Sequence, residues 1–254
     1  MHEITRQKLS HRLGRPDDPG SWQEQHAQLE QLKEVVALHR QQGRHVIQVD
    51  ECLFSGHRHQ GSRHWAPIGR PLLANARIFK GHSIAVVGAV SAEHGMLHFG
   101  YKDATAHGGI TAEDFKEFLH QLWVRHRDKG EMVVFLDNLR SHHAKLVDDE
   151  VSGPFPRLPI QLVFNIPYRP DLNGIEGVWA VAKRDYRERL DHFKARGFEW
   201  DQLAVVQDCI QAISDRVAKR QARAGWKKLR KAVPVKPADY DRAPEQYPDW
   251  PEPP

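Results

Sequence analysis

The 254-residue chain contains only two cysteines, Cys52 and Cys209, and no stretch of eighteen consecutive apolar residues. Two thiols so far apart show no disulfide framework, which favours a reducing cytoplasm. A membrane helix requires about 20 apolar residues, and an export signal requires an apolar stretch that the opening residues 1–6 do not show. The sequence therefore predicts a cytoplasmic globular protein with no membrane partner.

Several motifs of common enzyme classes are also absent. The chain has no phosphate-binding loop and no Gly-x-Ser-x-Gly elbow, so neither nucleotide hydrolysis nor serine-nucleophile chemistry is supported. His57, His59 and His64 lie near Cys52, but their spacing matches no zinc finger and there is no second cysteine nearby. This pattern favours a loop over a zinc site.

Positive charge is concentrated toward the C-terminus. Between Lys183 and Lys231 fourteen Lys or Arg face seven Asp or Glu, whereas the whole chain has a net charge of only +4. A basic lobe beside a more acidic body predicts a polyanionic partner. The alternative, that these cations only solvate helix faces, is equally compatible with the charge pattern.

The hydrophobic pattern predicts an α/β chain. We expect a linker over residues 1–22, an α/β domain over 23–190, a basic helical extension over 191–233, and a disordered tail over 234–254, which holds seven of the sixteen prolines. Apolar runs predict strands over 45–50, 83–90, 96–101, 132–137 and 160–164, with the second and third forming a hairpin. Apolar residues at spacings of three and four predict helices over 21–44, from Thr111 to about Gly130, from about Asn173 to Lys183, and over 200–217.

Three acidic residues lie where these elements begin or end. Asp50 and Asp137 close two apolar strands, and Glu176 lies in the first turn of a helix that follows a proline-braced loop. Ligands and catalytic groups gather at the carboxyl ends of strands in open α/β sheets. Three converging carboxylates repel one another unless a cation neutralises them, and an all-oxygen set suits Mg²⁺ or Mn²⁺. The structural alternative is that each acid caps a turn.

The sequence resembles the DDE transposases of bacterial insertion sequences, in the branch related to the mariner elements. The resemblance covers roughly residues 25 to 190 and rests on three blocks, which are Asp50-Glu51 with Trp65-Ala-Pro67, Leu136-Asp-Asn138 with His142, and the segment from Pro167 to Lys183. It implies a ribonuclease-H-like catalytic domain with a mixed five-stranded sheet flanked by helices. It also implies that Asp50, Asp137 and Glu176 are the catalytic, metal-binding triad for two Mg²⁺ or Mn²⁺ ions.

The same resemblance implies the partners. Double-stranded DNA, as element ends and as target, is the expected substrate, and Asn138 and His142 match family positions near the site. Lys183, Arg184 and Arg187 lie on the helix of Glu176, where contact with a DNA backbone and a solvated helix face are both reasonable. A homodimer, a separate helix-turn-helix chain and a bacterial nucleoid location are further expectations.

The sequence departs from the family pattern at three positions, His64, where the family often has glycine, and two positions beside Ile175-Glu176. Gly174 stands where the family usually has proline, and Gly177 where it has a polar or acidic residue, which predicts a loosened start of the catalytic helix. The function expected from the resemblance is metal-dependent DNA cleavage and strand transfer. Two alternatives stay open, a nuclease without strand joining and a repurposed, non-catalytic DNA-binding module.

Overall fold

A computed structural model describes residues 4–8, 22–56, 63–67, 82–137, 147, 149, 151, 158–166, 169–197 and 199–233 of the protein. Its strands are β1 (Ile4–Lys8), β2 (His45–Ser55), β3 (Arg63–Pro67), β4 (Ser83–Ser91), β5 (Gly95–Asp103), β6 (Met132–Leu136) and β7 (Ile160–Phe164). Its helices are α1 (Trp22–Gln41), α2 (Ala104–His107), α3 (Ala112–His126), α4 (Ile175–Arg196), α5 (Gln202–Gln211) and α6 (Asp215–Lys231). Short 3₁₀ turns cover Arg127–Lys129 and Pro170–Leu172.

Five strands form one mixed sheet in the order β5-β4-β2-β6-β7. The β4 strand runs antiparallel to both β5 and β2, whereas β6 runs parallel to both β2 and β7. The parallel pairing of β6 with β2 needs a crossover connection. The chain makes it between β5 and β6, and α3 lies in that connection. The sheet confirms the predicted ribonuclease-H-like architecture.

Helices cover both faces of this sheet, because the central strands are apolar on both sides. One face carries the buried side chains of α1, α4, α5 and α6, including Leu29, Trp179, Val206 and Trp226. The opposite face carries those of α3 and of the segment that contains Val147. Thr111 caps α3 through a capping box with Asp114, at the predicted start of this helix. Asp50 thus lies in a sheet that is packed against helices on both faces.

Three features differ from the sequence-based expectation. The strand predicted over 45–50 is longer, because β2 continues to Ser55, so Asp50 lies inside the strand and not at its end. The single helix predicted over 200–217 is wrong, because the chain breaks after Gln211 and Ser214 caps a new helix, α6, by accepting from the Val217 amide. In addition, β1 and β3 form a two-stranded antiparallel sheet, within segments that we expected to be linker and loop. Pairing between strands so distant in sequence leaves little local signal.

In the part of the chain that the structure describes, no helix combines the length and the apolar character needed to span a membrane.

Candidate active site

Asp50 and Asp137 lie side by side at the centre of the sheet. The parallel register between β2 and β6 ends at Gln48 and Phe135, and continuing it by two residues places Asp137 beside Asp50. Neighbouring strands lie about 4.8 Å apart, so the two carboxylates come from adjacent backbones. Asp50 is still paired with Gly88 of β4, which fixes its position from the other side.

A third carboxylate, Glu51, joins this pair. Carboxylate oxygens of Asp50, Glu51 and Asp137 all lie within 4.8 Å of one another. Glu51 was not predicted as a metal ligand, although it stands in the Asp50-Glu51 block of the sequence resemblance. Successive residues of a strand point to opposite faces, so the strand pattern gave no indication that Glu51 lies beside Asp50.

Glu176 is positioned by a tether between its helix and the strand of Asp50. The Asn173 side chain donates from Nδ2 to the Val49 carbonyl at 2.9 Å, and its Oδ1 accepts from the Ile175 amide at 3.4 Å. Asn173 is buried, so both bonds are shielded from water. The helix of Glu176 therefore begins at a fixed place relative to Asp50.

The electrostatics of the site show that the acids interact. Burial raises the pKa of Asp50 well above its usual value, and the charges of Glu176, Asp137 and Glu51 raise it further, in that order. The Glu176 side chain is partly buried but still has a solvent-exposed side. Burial raises its pKa and the charge of Asp137 raises it further, whereas the charge of Lys183 lowers it. Glu176 therefore interacts electrostatically with Asp50 and Asp137, although it is not one of the three acids whose oxygens lie within 4.8 Å of one another.

Lys183 lies on the same side of α4 as Glu176, seven residues later. Its half-buried side chain lies near the Cys52 thiol, and its positive charge acts to lower the pKa of both Cys52 and Glu176. Burial nevertheless raises the pKa of Cys52 to about 12, so the thiol stays neutral at physiological pH. Lys183 is therefore an internal cation of the carboxylate site, a placement that the seven-residue spacing could have indicated.

Trp179 holds Asp50 from the helix side. Its indole Nε1 donates to Asp50 Oδ2 at 3.1 Å, and both residues are buried. The ring lies over Gly88, where a Cβ atom would come within 2.6 Å of it, and it packs edge-on against Phe99 with centroids 5.9 Å apart. Trp179 is thus a core residue whose indole also fixes the orientation of the Asp50 carboxylate.

We expect Trp179→Phe to lower the affinity for Mn²⁺ by about 10- to 100-fold, because Asp50 loses its only described side-chain donor. An aromatic ring is still present at this position of the core. Isothermal titration with Mn²⁺ measures this change. Trp226→Phe is the matched control, since the buried Trp226 Nε1 has no hydrogen-bond partner among the described residues. Equal affinities in the two variants would contradict the positioning role.

The two glycines that flank Ile175-Glu176 serve as a contact surface for α6. A Cβ atom at Gly174 would lie 2.6 Å from Gln48 Oε1 and 2.8 Å from Ala222 Cα, and one at Gly177 would meet the Gln221 side chain. Gln48 also donates from Nε2 to the Ala222 carbonyl at 3.1 Å. The expected loosening of the helix start is therefore not observed, because α6 packs against it.

The remaining predicted DNA contacts have different outcomes. Asn138 and His142 lie outside the described residues, as do His57 and His59, so their roles stay predictions. Arg184 and Arg187 are exposed on α4, and their contact with DNA also stays a prediction. Cys52 and Cys209 are both free and buried.

A family model described as DDE superfamily endonuclease matches residues 45–196, which is more than half of the chain and includes Asp50, Asp137 and Glu176. The chain belongs to the DDE superfamily endonucleases. A search of curated protein sequences finds no match to it.

Solved structures of mariner transposase share the fold of this DDE chain. The Mos1 strand transfer complex is 15% identical with a TM-score of 0.58, and the match covers 93% of this chain and 66% of the Mos1 chain. The Mos1 catalytic domain with raltegravir and Mg is 12% identical with a TM-score of 0.53, covering 84% of this chain and 96% of that one. The DDE chain thus spans just under two thirds of the Mos1 chain in the transfer complex.

The residues present fit a divalent ion. Three carboxylate groups within 4.8 Å form an all-oxygen donor set, which hard cations prefer. Burial and the acidic neighbours raise the pKa of Asp50, so its ionised form is destabilised, and a bound cation would offset that cost. Asp50, Glu51 and Asp137 are therefore the residues that would hold the ion, with Glu176 beside them.

Proposed function

We propose that this DDE endonuclease cleaves DNA phosphodiesters in a divalent-metal-dependent reaction and joins the freed 3′ end to target DNA, as a transposase catalytic core. The observation that carries the proposal is the convergence of Asp50, Glu51 and Asp137 at the centre of a ribonuclease-H-like sheet, with Glu176 held beside them. The matching family model and the three sequence blocks support it. A bacterial insertion-sequence origin and a nucleoid location are part of the same proposal.

The chain's own groups bind and orient the reactants. When bound, Mg²⁺ or Mn²⁺ supplies Lewis-acid activation of the phosphodiester and of the attacking oxygen. Asp50 and Asp137 hold their carboxylates on adjacent strands, and Trp179 fixes the Asp50 carboxylate by its hydrogen bond. Lys183 places a positive charge beside Glu176, which favours its ionised form.

Plasmid nicking tests the proposed activity. The wild-type chain is expected to convert supercoiled plasmid to the nicked form with Mg²⁺ or Mn²⁺ and not with EDTA, and Glu176→Gln is expected to be inactive. Strand-joining products from a duplex with a pre-cut 3′ end separate a transferase from a nuclease. Failure of the wild-type chain to nick DNA with either metal would favour the non-catalytic alternative.

Metal binding is also expected to stabilise the fold. An ion present at a hundredfold excess over its dissociation constant adds about 2.7 kcal/mol to the free energy of unfolding, which raises Tm by about 5–10 °C in a chain of this size. Differential scanning fluorimetry with and without Mn²⁺ measures the shift. Asp137→Asn should lose most of it, whereas Asp128→Asn, at an exposed position of the 3₁₀ turn, should keep it. An unchanged shift in Asp137→Asn would contradict the site assignment.

The partners of the proposed reaction follow its chemistry. Double-stranded DNA is the proposed substrate, and a homodimer is proposed because joining two element ends uses two active sites. A separate helix-turn-helix chain for end recognition belongs to the same proposal. Size-exclusion chromatography with light scattering, with and without DNA, tests the dimer.

A further inference from the structure

The C-terminal charge excess lies in a single helix. The α6 helix carries eight Lys or Arg and one acid, Asp215, a net +7 that equals the entire excess counted between Lys183 and Lys231. The rest of that region is therefore balanced. The surface of α6 is therefore the part of this region that would attract a polyanionic partner.

Five of these cations form a continuous stripe on the exposed face of α6. Spacings of four, three, four and three residues separate them, so at 100° per residue they fall within an arc of about 80° and span about 21 Å. All five are exposed, and the buried side chains of α6 lie on the opposite face. We call this surface the basic stripe, and its members are Arg216, Arg220, Arg223, Lys227 and Arg230.

The stripe has no counter-charges. None of its five cations forms an ion pair with any residue that the structure describes. Basic residues of α1 beside it are different, since Lys33 pairs with Glu30 at 2.8 Å and Arg40 with Glu93 at 3.3 Å. Like charges three or four residues apart on a helix repel one another, which an ordinary solvated face avoids by alternating signs.

The surface beside the stripe is concave. One cleft runs between α1 and α6 and is lined by Val36, Trp226 and Leu229 together with stripe cations. A second cleft, at the start of α6, is lined by Ser214 and Val217 with Arg216, Arg220 and Arg223. Arg223 belongs to both clefts, so the stripe follows one extended surface. A partner with charges repeated along its length fits such a surface better than a single small anion.

We propose that the basic stripe binds the phosphate backbone of duplex DNA. Four of the five cations are arginines, whose planar guanidinium groups suit bidentate contact with phosphate. The inference rests on the proposed function in its choice of DNA among polyanions. The stripe faces away from the sheet, and the buried side of the same helix supports the first turn of α4 through Gly174 and Gly177. Its role is to hold duplex outside the carboxylate site.

The salt dependence of DNA binding tests the stripe. A duplex of about 20 base pairs exceeds the length of the stripe, and each lost phosphate contact lowers the slope of log K against log salt by about 0.9. In EDTA, Arg220→Gln/Arg223→Gln is expected to lower that slope by about 2 and to weaken binding about 10- to 100-fold at 0.1 M salt. Fluorescence anisotropy with a labelled duplex of arbitrary sequence measures both quantities.

Arg125→Gln/Arg127→Gln is the matched control, because it removes two exposed arginines at the end of α3, on the opposite face of the sheet. An equal loss in both variants, or no loss in the stripe variant, overturns the proposal. Tighter binding of polyglutamate than of DNA at equal charge concentration overturns the choice of partner. Plasmid nicking separates the proposed function from the DNA-binding role of the stripe. If the stripe binds DNA but the wild-type chain does not nick it, only the proposed function is refuted. If the chain nicks DNA and the stripe variant binds DNA as tightly as the wild type, only the role of the stripe is refuted.

Discussion

Asp50→Asn is expected to abolish metal-dependent nicking while making the metal-free protein more stable. The loss of a buried metal ligand removes several kcal/mol of transition-state stabilisation, which is about a thousandfold in rate. The same change removes a buried charge that faces Glu176, Asp137 and Glu51, whereas the asparagine oxygen can still accept from Trp179. We expect a gain of about 1–2 kcal/mol in the free energy of unfolding at neutral pH in EDTA.

The pH dependence of that gain has a definite sign. The pKa of Asp50 is raised in the folded state, so lowering the pH protonates the folded protein before the unfolded one and stabilises it. The advantage of Asp50→Asn should therefore shrink as the pH falls through the raised pKa toward the ordinary value. Urea unfolding at several pH values in EDTA measures the difference.

Asp128→Asn is the control for both parts of this experiment. Its carboxylate is exposed on the 3₁₀ turn. The free energy of unfolding should therefore change by no more than about 0.5 kcal/mol, and the nicking rate by no more than the factor that corresponds to this energy. Full nicking activity in Asp50→Asn would remove this aspartate from the metal site. A loss of stability in EDTA would show that the acids do not repel one another.

The sheet and the positions of the acids could be predicted because both follow from local pattern. Continuous apolar runs that reach Asp50 and Asp137 mark two buried strands, and the parallel pairing of those strands brings the two acids together. The predicted end of the first strand at Asp50 was wrong, because β2 continues to Ser55. The prolines before Asn173 mark the end of one element and the start of the next. These signals lie within a few residues of each site residue.

The contacts that refine the site could not be predicted because they depend on distant segments. Glu51 joins the acidic group through Asp137, which follows a different strand, and Trp179 reaches Asp50 because Gly88 leaves space for its ring. The separate helix α6 was missed because the break at Ser214 lies inside an otherwise helical pattern. Each case is decided by tertiary packing, for which sequence spacing carries no signal.

Gly225→Ala is expected to destabilise the fold by about 1–3 kcal/mol, although Gly→Ala inside a helix usually stabilises by about 1 kcal/mol. A Cβ atom at Gly225 would lie 2.5 Å from the Gly174 amide nitrogen and 2.7 Å from Gly174 Cα, so backbone must move. That movement displaces the turn before Glu176, and small misplacements of catalytic groups are costly. We therefore expect about tenfold slower nicking at temperatures where the variant is fully folded.

Gly177→Ala is the matched test of this reasoning, because it lies at the same contact between α4 and α6. The atoms that a Cβ would meet there belong to the Gln221 side chain, which can rotate away. Gly177→Ala should accordingly leave stability unchanged or raise it by up to about 1 kcal/mol, through its helix propensity. Thermal unfolding and plasmid nicking of the two variants, measured together, separate backbone contact from side-chain contact. If both variants are equally destabilised, the close approach of Gly174 and Gly225 does not set the position of the catalytic helix.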